Sequence, residues 1–436
     1  MEARAGNSNV IVARCNVGLR SCFSFTCVDA TLLRPPPALV RGVHTTLEDT
    51  MHRQTSTMIF AMAAAIAAGA CSDSVSPTGP HATDQISQTQ VKYWDVGSSV
   101  RWNRLAISLY RSRGGNPLRA NAYLSLGQYR AVLAAKDGKE GSMHPSPAAA
   151  AAGASVVLLK QFYPLDATTI DAELAAQRAE TPWPGENNKD FAEGETIGRA
   201  AGAAVLAFAA TDNFGVADPG LPPTTAGSWI SSGAPIVRGG YGARAFFLAS
   251  NNELMVPPPP AFGSADYLAA LAAVRSLSDN RTPEQLAISR KWAPFGGPLY
   301  NDVASDLILK YKKNETEAAR IYAYGNAAAF DAIIACFHNK FTYWFIRPSQ
   351  ADPLITTPIG LPNHPSYPSA HSCESGAWQT ILTDAFPEER DMLAAMAREA
   401  ADSREFAGLH YRFDNDQGRA LGHAAAQLAL ARKGLE

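Results

Sequence analysis

Cysteine is scarce: the chain has 6 in 436 residues, and only Cys336 and Cys373 follow Cys71. At most one disulfide can therefore form in the body of the chain. Either an exported protein pairs these two, or both are buried free thiols. No apolar run reaches the length a bilayer-spanning helix needs. Charge is low as well, at 18% of residues with a net of −2 and a pI near 6.5, so nothing suggests nucleic acid. Neither an internal repeat nor a nucleotide-binding glycine loop is visible, and β-branched runs are few. What is present is alanine and a 46% hydrophobic composition. That favours helices around a sizeable core.

Residues 1–50 show no clear period and carry Cys15, Cys22, Cys27 and Pro35–Pro37. They read as a non-native or disordered extension. Residues 51–71 have a basic start, an apolar core of about 13 residues and small residues before Cys71, the form of a signal peptide. Translation is expected to begin at Met51 or Met58. Ala-Gly-Ala-Cys71 resembles a bacterial lipobox without its usual Leu, so Cys71 is expected to carry a lipid anchor on an exported protein. Residues 72–92 are rich in Ser, Thr, Pro, Gln and Asp and read as a tether.

The remainder, 93–436, reads as one large all-α bundle. Helical spacing marks Val100–Tyr110, Asn121–Ala135, Pro147–Phe162, Ala167–Glu180, Phe191–Ala210, Ser264–Leu277, Pro283–Trp292, Leu299–Lys312 and Glu315–Ile346. The Ala-rich Phe191–Ala210 is expected to pack closely on a neighbour. Residues 211–263 are rich in Gly and Pro, too long for an idle loop, and read as an ordered cover near the site.

Chemistry concentrates in three blocks between residues 340 and 414. They are Lys340-Phe-Thr-Tyr-Trp-Phe-Ile-Arg347-Pro348, His364-Pro-Ser-Tyr-Pro368-Ser369-Ala370-His371-Ser372, and Ser403-Arg404-Glu-Phe-Ala-Gly408-Leu-His410-Tyr-Arg-Phe-Asp414. Lys340 and Arg347 are seven apart, so a helix running to Ile346 sets them on one face. Ser369 opens a helix whose free N–H groups suit an anion. Arg404 closes a helix and Gly408 breaks it. Asp414, four residues after His410, can accept that ring's N–H and fix its tautomer. Each residue alone has a plain reading as a surface charge, a structural His or a helix cap. Together they suit a tetrahedral oxyanion held by fixed cations, with one imidazole as nucleophile or ligand and another as acid/base.

In order and spacing the blocks resemble the signature of the type 2 phosphatidic acid phosphatase and vanadium-dependent haloperoxidase superfamily: K-x6-R-P, P-S-G-H and S-R-x5-H-x3-D. The flanking text, Trp344-Phe-Ile-Arg-Pro and Gly408-Leu-His-Tyr-Arg-Phe-Asp-Asn-Asp-Gln-Gly418, is closer to the haloperoxidase branch. Weaker similarity runs over about residues 93 to 433. Ala370 departs from the usual Gly, and Ala tolerates a positive φ poorly.

The resemblance implies a vanadate enzyme that oxidises halide, bromide and iodide before chloride, with hydrogen peroxide. His410 would be the vanadium ligand. Lys340, Arg347, Arg404, Ser369 and the Ala370 N–H would hold the oxyanion. His371 would be the acid/base, Lys340 would polarise peroxide, and His364 would influence halide choice. The alternative is an exported acid phosphatase without cofactor, in which His410 forms a phosphohistidine and His371 protonates the leaving group. A non-catalytic phosphate- or vanadate-binding lipoprotein is a third reading, supported by Ala370 alone. Partners are small molecules, with no nucleic acid and no membrane contact beyond the Cys71 anchor.

Overall fold

Small residues decide how closely the first helices approach. The computed structural model describes residues 82–138, 144–180, 189–233, 236–294 and 296–435, with side chains from residue 97. These residues fall within one compact unit, Ser76–Glu436. They contain α1 (Ala82–Arg113), α2 (Pro117–Asp137), α3 (Pro147–Phe162), α4 (Ala167–Ala179) and α5 (Phe191–Ala209). Next come α6 (Ala265–Asp279), α7 (Pro283–Lys291), α8 (Gly297–Lys310) and α9 (Glu315–Tyr343). Last are the single turn α10 (Pro348–Ala351), α11 (Ala370–Ala385), α12 (Arg390–Phe406) and α13 (Arg412–Arg432). Two two-residue strands, His144–Pro145 and Lys189–Asp190, pair in parallel. The expected helical bundle is the observed architecture. Gly194, Gly198 and Gly202 line one face of α5, and a β-carbon at Gly198 would come within 2.0 Å of the Ala150 carbonyl of α3. Backbone therefore meets backbone there, as the Ala-rich pattern suggested.

The expected extension, the signal peptide and Cys71 lie outside the described residues. So does the beginning of the 72–92 tether. The rest of that tether is a correction, because α1 begins at Ala82. No Pro or Gly interrupts the chain between Pro80 and Gly97, so nothing local breaks a helix there.

Helix α9 runs through the centre. From Ala318 to Phe341 nearly every side chain is buried, the mark of a helix packed on all sides. Two of its polar residues organise the long segment between α5 and α6. The Asp331 carboxylate accepts the backbone N–H groups of Phe246 (2.8 Å), Phe247 (2.7 Å) and Leu248 (3.2 Å). Asn339, two turns on, accepts from Val256 N (3.0 Å) and donates to Leu254 O (2.8 Å). These bonds satisfy loop amides that no ladder serves. Among the described residues no helix is long and apolar enough to cross a membrane.

Candidate functional site

Lys340 lies in the last turn of α9, fully buried. Arg347 does not share its helix, contrary to the expectation of one helical face. The helix stops at Tyr343, Trp344 turns left-handed (φ 48°), and Arg347 is extended (φ −84°, ψ 154°). Pro348 pushes Arg347 out of the helical region. The chain just before it pairs with the long loop instead, through Trp229 N to Trp344 O (2.6 Å) and Ile346 N to Gly227 O (2.9 Å). Lys340 and Arg347 still converge, by tertiary routing. Lys340 Nζ donates to the carbonyls of Pro365 (2.8 Å) and Ser366 (2.7 Å), and Arg347 Nε donates to that of His364 (2.9 Å).

Ser369 is the N-cap of α11, as expected, yet its hydroxyl caps nothing and is buried without a partner. Ala370 is the first helical residue and is not among the positive-φ positions, so its methyl group costs no backbone strain. Two glycines of α13 press that helix onto α11. A β-carbon would lie 2.6 Å from Ser369 O if added at Gly418, and 2.0 Å from Cys373 O if added at Gly422. Ser369 N then donates to Asp414 O (2.9 Å), which joins the second block to the third. Cys336 and Cys373, buried nearby, are free thiols.

Arg404 lies in the last turn of α12, and Gly408 (φ 71°) turns the chain towards His410. Nδ1 of His410 lies 2.8 Å from Asp414 Oδ2. A carboxylate accepts, so Nδ1 carries the proton and Nε2 keeps its lone pair. Arg347 Nη1 donates to that Nε2 at 3.3 Å. Asp414 Oδ2 also accepts from the Ser366 hydroxyl, while its Oδ1 has no partner. His371 is half-buried and donates from Nε2 to Pro294 O (2.8 Å). His364 packs on the Phe337 ring, and its Nδ1 lies 3.1 Å from Arg347 Nη2. The structure thus brings all nine residues picked from the sequence to one place.

The electrostatics are lopsided. The hydrogen bonds of Lys340, Arg347 and Arg404 go to carbonyls, a hydroxyl and ring nitrogens, none of which carries negative charge. Burial pushes Lys340 down to about 8 and Arg347 to about 10. Burial and then the Arg347 charge push Arg404 down to about 9. His371 falls to about 3 through burial and the Arg404 guanidinium, and His364 and His410 fall well below their usual value through burial and the cations. Burial lifts Asp414 to about 7, against the pull of the Ser366 hydroxyl and Lys340. Three buried cations thus face one carboxylate. Unpaired buried charge is costly, so the cluster is complementary to an anion.

Above this floor opens a cavity of about 850 Å³, reached by His364, Ala370, His371, Arg404 and His410. Its walls include Phe214 and Ile236–Gly240 from the segment expected to form a cover, and Phe330, Ile333 and Phe337 from α9. Among the described residues no group of three or more His, Cys, Asp or Glu is placed to hold a metal cation.

No protein-family model matches the chain. A vanadium-dependent bromoperoxidase of Ascophyllum nodosum is 24% identical over 192 residues, which span 37% of this chain and only 32% of that relative. A bacterial vanadium-dependent iodoperoxidase structure superposes with a TM-score of 0.64 at 20% identity, covering 77% of this chain and 95% of the other. A holo bacterial vanadium-dependent chloroperoxidase gives 0.55 at 14% identity, covering 78% and 94%. The chain has the vanadium-dependent haloperoxidase fold. In this haloperoxidase fold the donor set suits an oxyanion: three cations, the unpartnered Ser369 hydroxyl, a helix N-terminus and the Nε2 lone pair of His410. Sequence reasoning passed over Ser366, although it stands inside the second block. Its only signal was that position, because its bond to Asp414 spans 48 residues. The wall residues of α9 carried no signal, whereas Phe214 and Ile236–Gly240 lay in the Gly- and Pro-rich segment expected to cover the site.

Proposed function

We propose that this chain is a vanadate-dependent haloperoxidase that oxidises bromide and iodide with hydrogen peroxide. One observation carries the reading: three buried cations without anionic partners act on His410, whose Nε2 lone pair faces Arg347, in a block that also holds the unpartnered Ser369 hydroxyl. The names of the curated relative and of the structural neighbours support a vanadium-dependent haloperoxidase.

His410 would bind vanadate through Nε2, with Lys340, Arg347, Arg404, Ser369 and the Ala370 N–H around its oxygens. Bound there, vanadate supplies the Lewis acidity that makes peroxide a two-electron oxidant of halide. The chain contributes binding and proton control. Asp414 keeps the His410 proton on Nδ1, so the lone pair stays available. Arg347, whose Nη1 donates to Nε2, would supply a donor to an oxygen of the bound anion. His371 is neutral, with Nε2–H held by Pro294 O, and its other ring nitrogen accepts a proton from peroxide as it binds. An oxyanion beside Arg404 weakens the repulsion that depresses His371, so the ring retains that proton better once the site is loaded.

The test is a pair of assays on one preparation: peroxide-driven bromide and iodide oxidation with and without added vanadate, and phosphate-ester hydrolysis without it. Vanadate-dependent halide oxidation is expected. Hydrolysis with no such oxidation would turn the assignment to the phosphatase reading.

A further inference from the structure

Trp292, the C-cap of α7, and Gly296, the N-cap of α8, bound a short turn that holds two site residues at once. The Trp292 carbonyl accepts from Arg404 Nη2 on α12 (2.7 Å), and the Pro294 carbonyl accepts from His371 Nε2 on α11 (2.8 Å). Ala293 and Pro294 line the cavity, so part of the turn faces open space. Two carboxyl groups outside the three motif blocks fasten it. Glu399 accepts the Trp292 indole N–H (2.8 Å), and Glu374 Oε2 accepts the Gly296 N–H (3.0 Å).

Glu374 stands one turn after His371, on the same face of α11. One helix therefore supplies both the ring that Pro294 holds and the carboxyl that grips the residue two places beyond Pro294. The grip is close. A β-carbon would lie 3.0 Å from Oε2 if added at Gly296, and 2.6 Å from Oε1 if added at Gly297, so the carboxyl fits only against glycine. Glu374 is buried, and among the described residues its Oε1 has no hydrogen-bond partner. Burial lifts the carboxyl to about 7, against the pull of the Gly296 and Gly297 amides. Protonated or not, it keeps an oxygen that accepts from Gly296. The Pro294 carbonyl in turn keeps the His371 proton on Nε2 and leaves Nδ1 free as a base. Without that acceptor in place the proton can pass to Nδ1, and the base is lost.

We propose that Glu374 is a positioning residue: by clamping Gly296 it holds the Pro294 carbonyl on His371 and so keeps His371 in the tautomer that can act as a base. The role of that base rests on the haloperoxidase reading, so the first test needs no turnover. In vanadate-free protein labelled with 15N-histidine, the nitrogen shifts of His371 show which ring nitrogen carries the proton. His371→Ala identifies the signals by their loss. Wild type and Glu374→Gln, which retains an acceptor, are expected to show the proton on Nε2. Glu374→Ala and Glu374→Met have no acceptor, the first without crowding the glycines and the second without leaving a cavity. Whichever is folded by circular dichroism is expected to show the proton shared between the two nitrogens. Unchanged shifts overturn the proposal.

The second test is a cycle of turnover measurements. General acid–base catalysis contributes about 100- to 10,000-fold, and a misplaced base loses part of it, so Glu374→Ala is expected to lower kcat/KM for peroxide about tenfold. Vanadate affinity is expected to stay within about threefold, because Arg404 is also tied to Ser403 Oγ and Ser289 O. Glu374→Gln is expected to restore the rate to within about threefold of wild type. Added to His371→Ala, Glu374→Ala should cost nothing further, since both act through one ring. A further tenfold loss in that background would make Glu374 a purely structural residue and overturn the proposal. Altered His371 shifts in a protein whose wild type oxidises no halide keep the clamp and remove the peroxidase reading.

Discussion

The floor and the walls of the cavity differ in chemistry, in origin along the chain and in what holds them. The floor is polar and drawn from residues 340–414, carried by helix ends and short turns. The walls are apolar and drawn from residues as far apart as Leu118 and Ile359. The floor is held by short hydrogen bonds among its own members, such as His410 to Asp414 and Arg347 to the His364 carbonyl, and by ties of His371 and Arg404 to the Pro294 and Trp292 carbonyls. The loop part of the walls belongs to a segment without regular structure whose later residues, Phe246–Leu248 and Val256, are gripped by Asp331 and Asn339 of α9. Buried charges tolerate little displacement, because their energies vary steeply with distance, so a charged floor needs rigid neighbours close by. An apolar wall needs only volume and low polarity, which many side chains supply.

That contrast predicts large, specific effects on the floor and small, diffuse ones on the walls. His410→Ala removes the Nε2 lone pair that faces Arg347 and would ligate vanadate. It is expected to abolish vanadate-dependent halide oxidation while circular dichroism shows a folded protein, and near-normal turnover would break the comparison. Next in size are Lys340→Ala, Arg347→Ala and Arg404→Ala. Each should weaken vanadate affinity by about 1.5–3 kcal/mol, roughly ten- to a hundredfold, if it makes one charged hydrogen bond to the anion. Titration would expose any that changes nothing as a spectator.

Asp414→Asn keeps the shape of the pair but weakens its hold on the Nδ1 proton, so vanadate affinity should fall by about tenfold, less than for His410→Ala. A loss equal to that of His410→Ala would mean the carboxylate does more than orient the ring. Asp331→Ala acts on the walls. It should cost about 1–3 kcal/mol in denaturant unfolding by orphaning three loop amides, while vanadate affinity stays within about twofold. A large loss of affinity would show that floor and walls are coupled. Smallest is His364→Phe, at the seam of the two regions. Wild type is expected to oxidise bromide and iodide with little chloride turnover, and the substitution to shift the chloride-to-bromide ratio severalfold. An unmoved ratio would place His364 with the walls.

How much was legible follows the same division. The boundaries of α3, the start of α9 at Glu315 and the helix start after Ser369 depend on residues within a turn or two, and so does the His410–Asp414 pair. Arg347 was misjudged for the opposite reason. Its placement depends on Gly227–Trp229 pairing with the chain before it, more than a hundred residues away.

The amino-acid order by itself determined the helical class, the gathering of cations and histidines in residues 340–414 and the close approach of α5 to a neighbour, because these rest on composition and short-range spacing. Only the tertiary structure decided that Arg347 meets Lys340 from a separate extended segment, that Ser366 joins Asp414 and that Cys336 and Cys373 stay free. It alone also roofed the floor with a large apolar chamber. Each of these is a contact between distant segments, set by how α9, α11 and α13 pack and by which buried amides the loop had to satisfy.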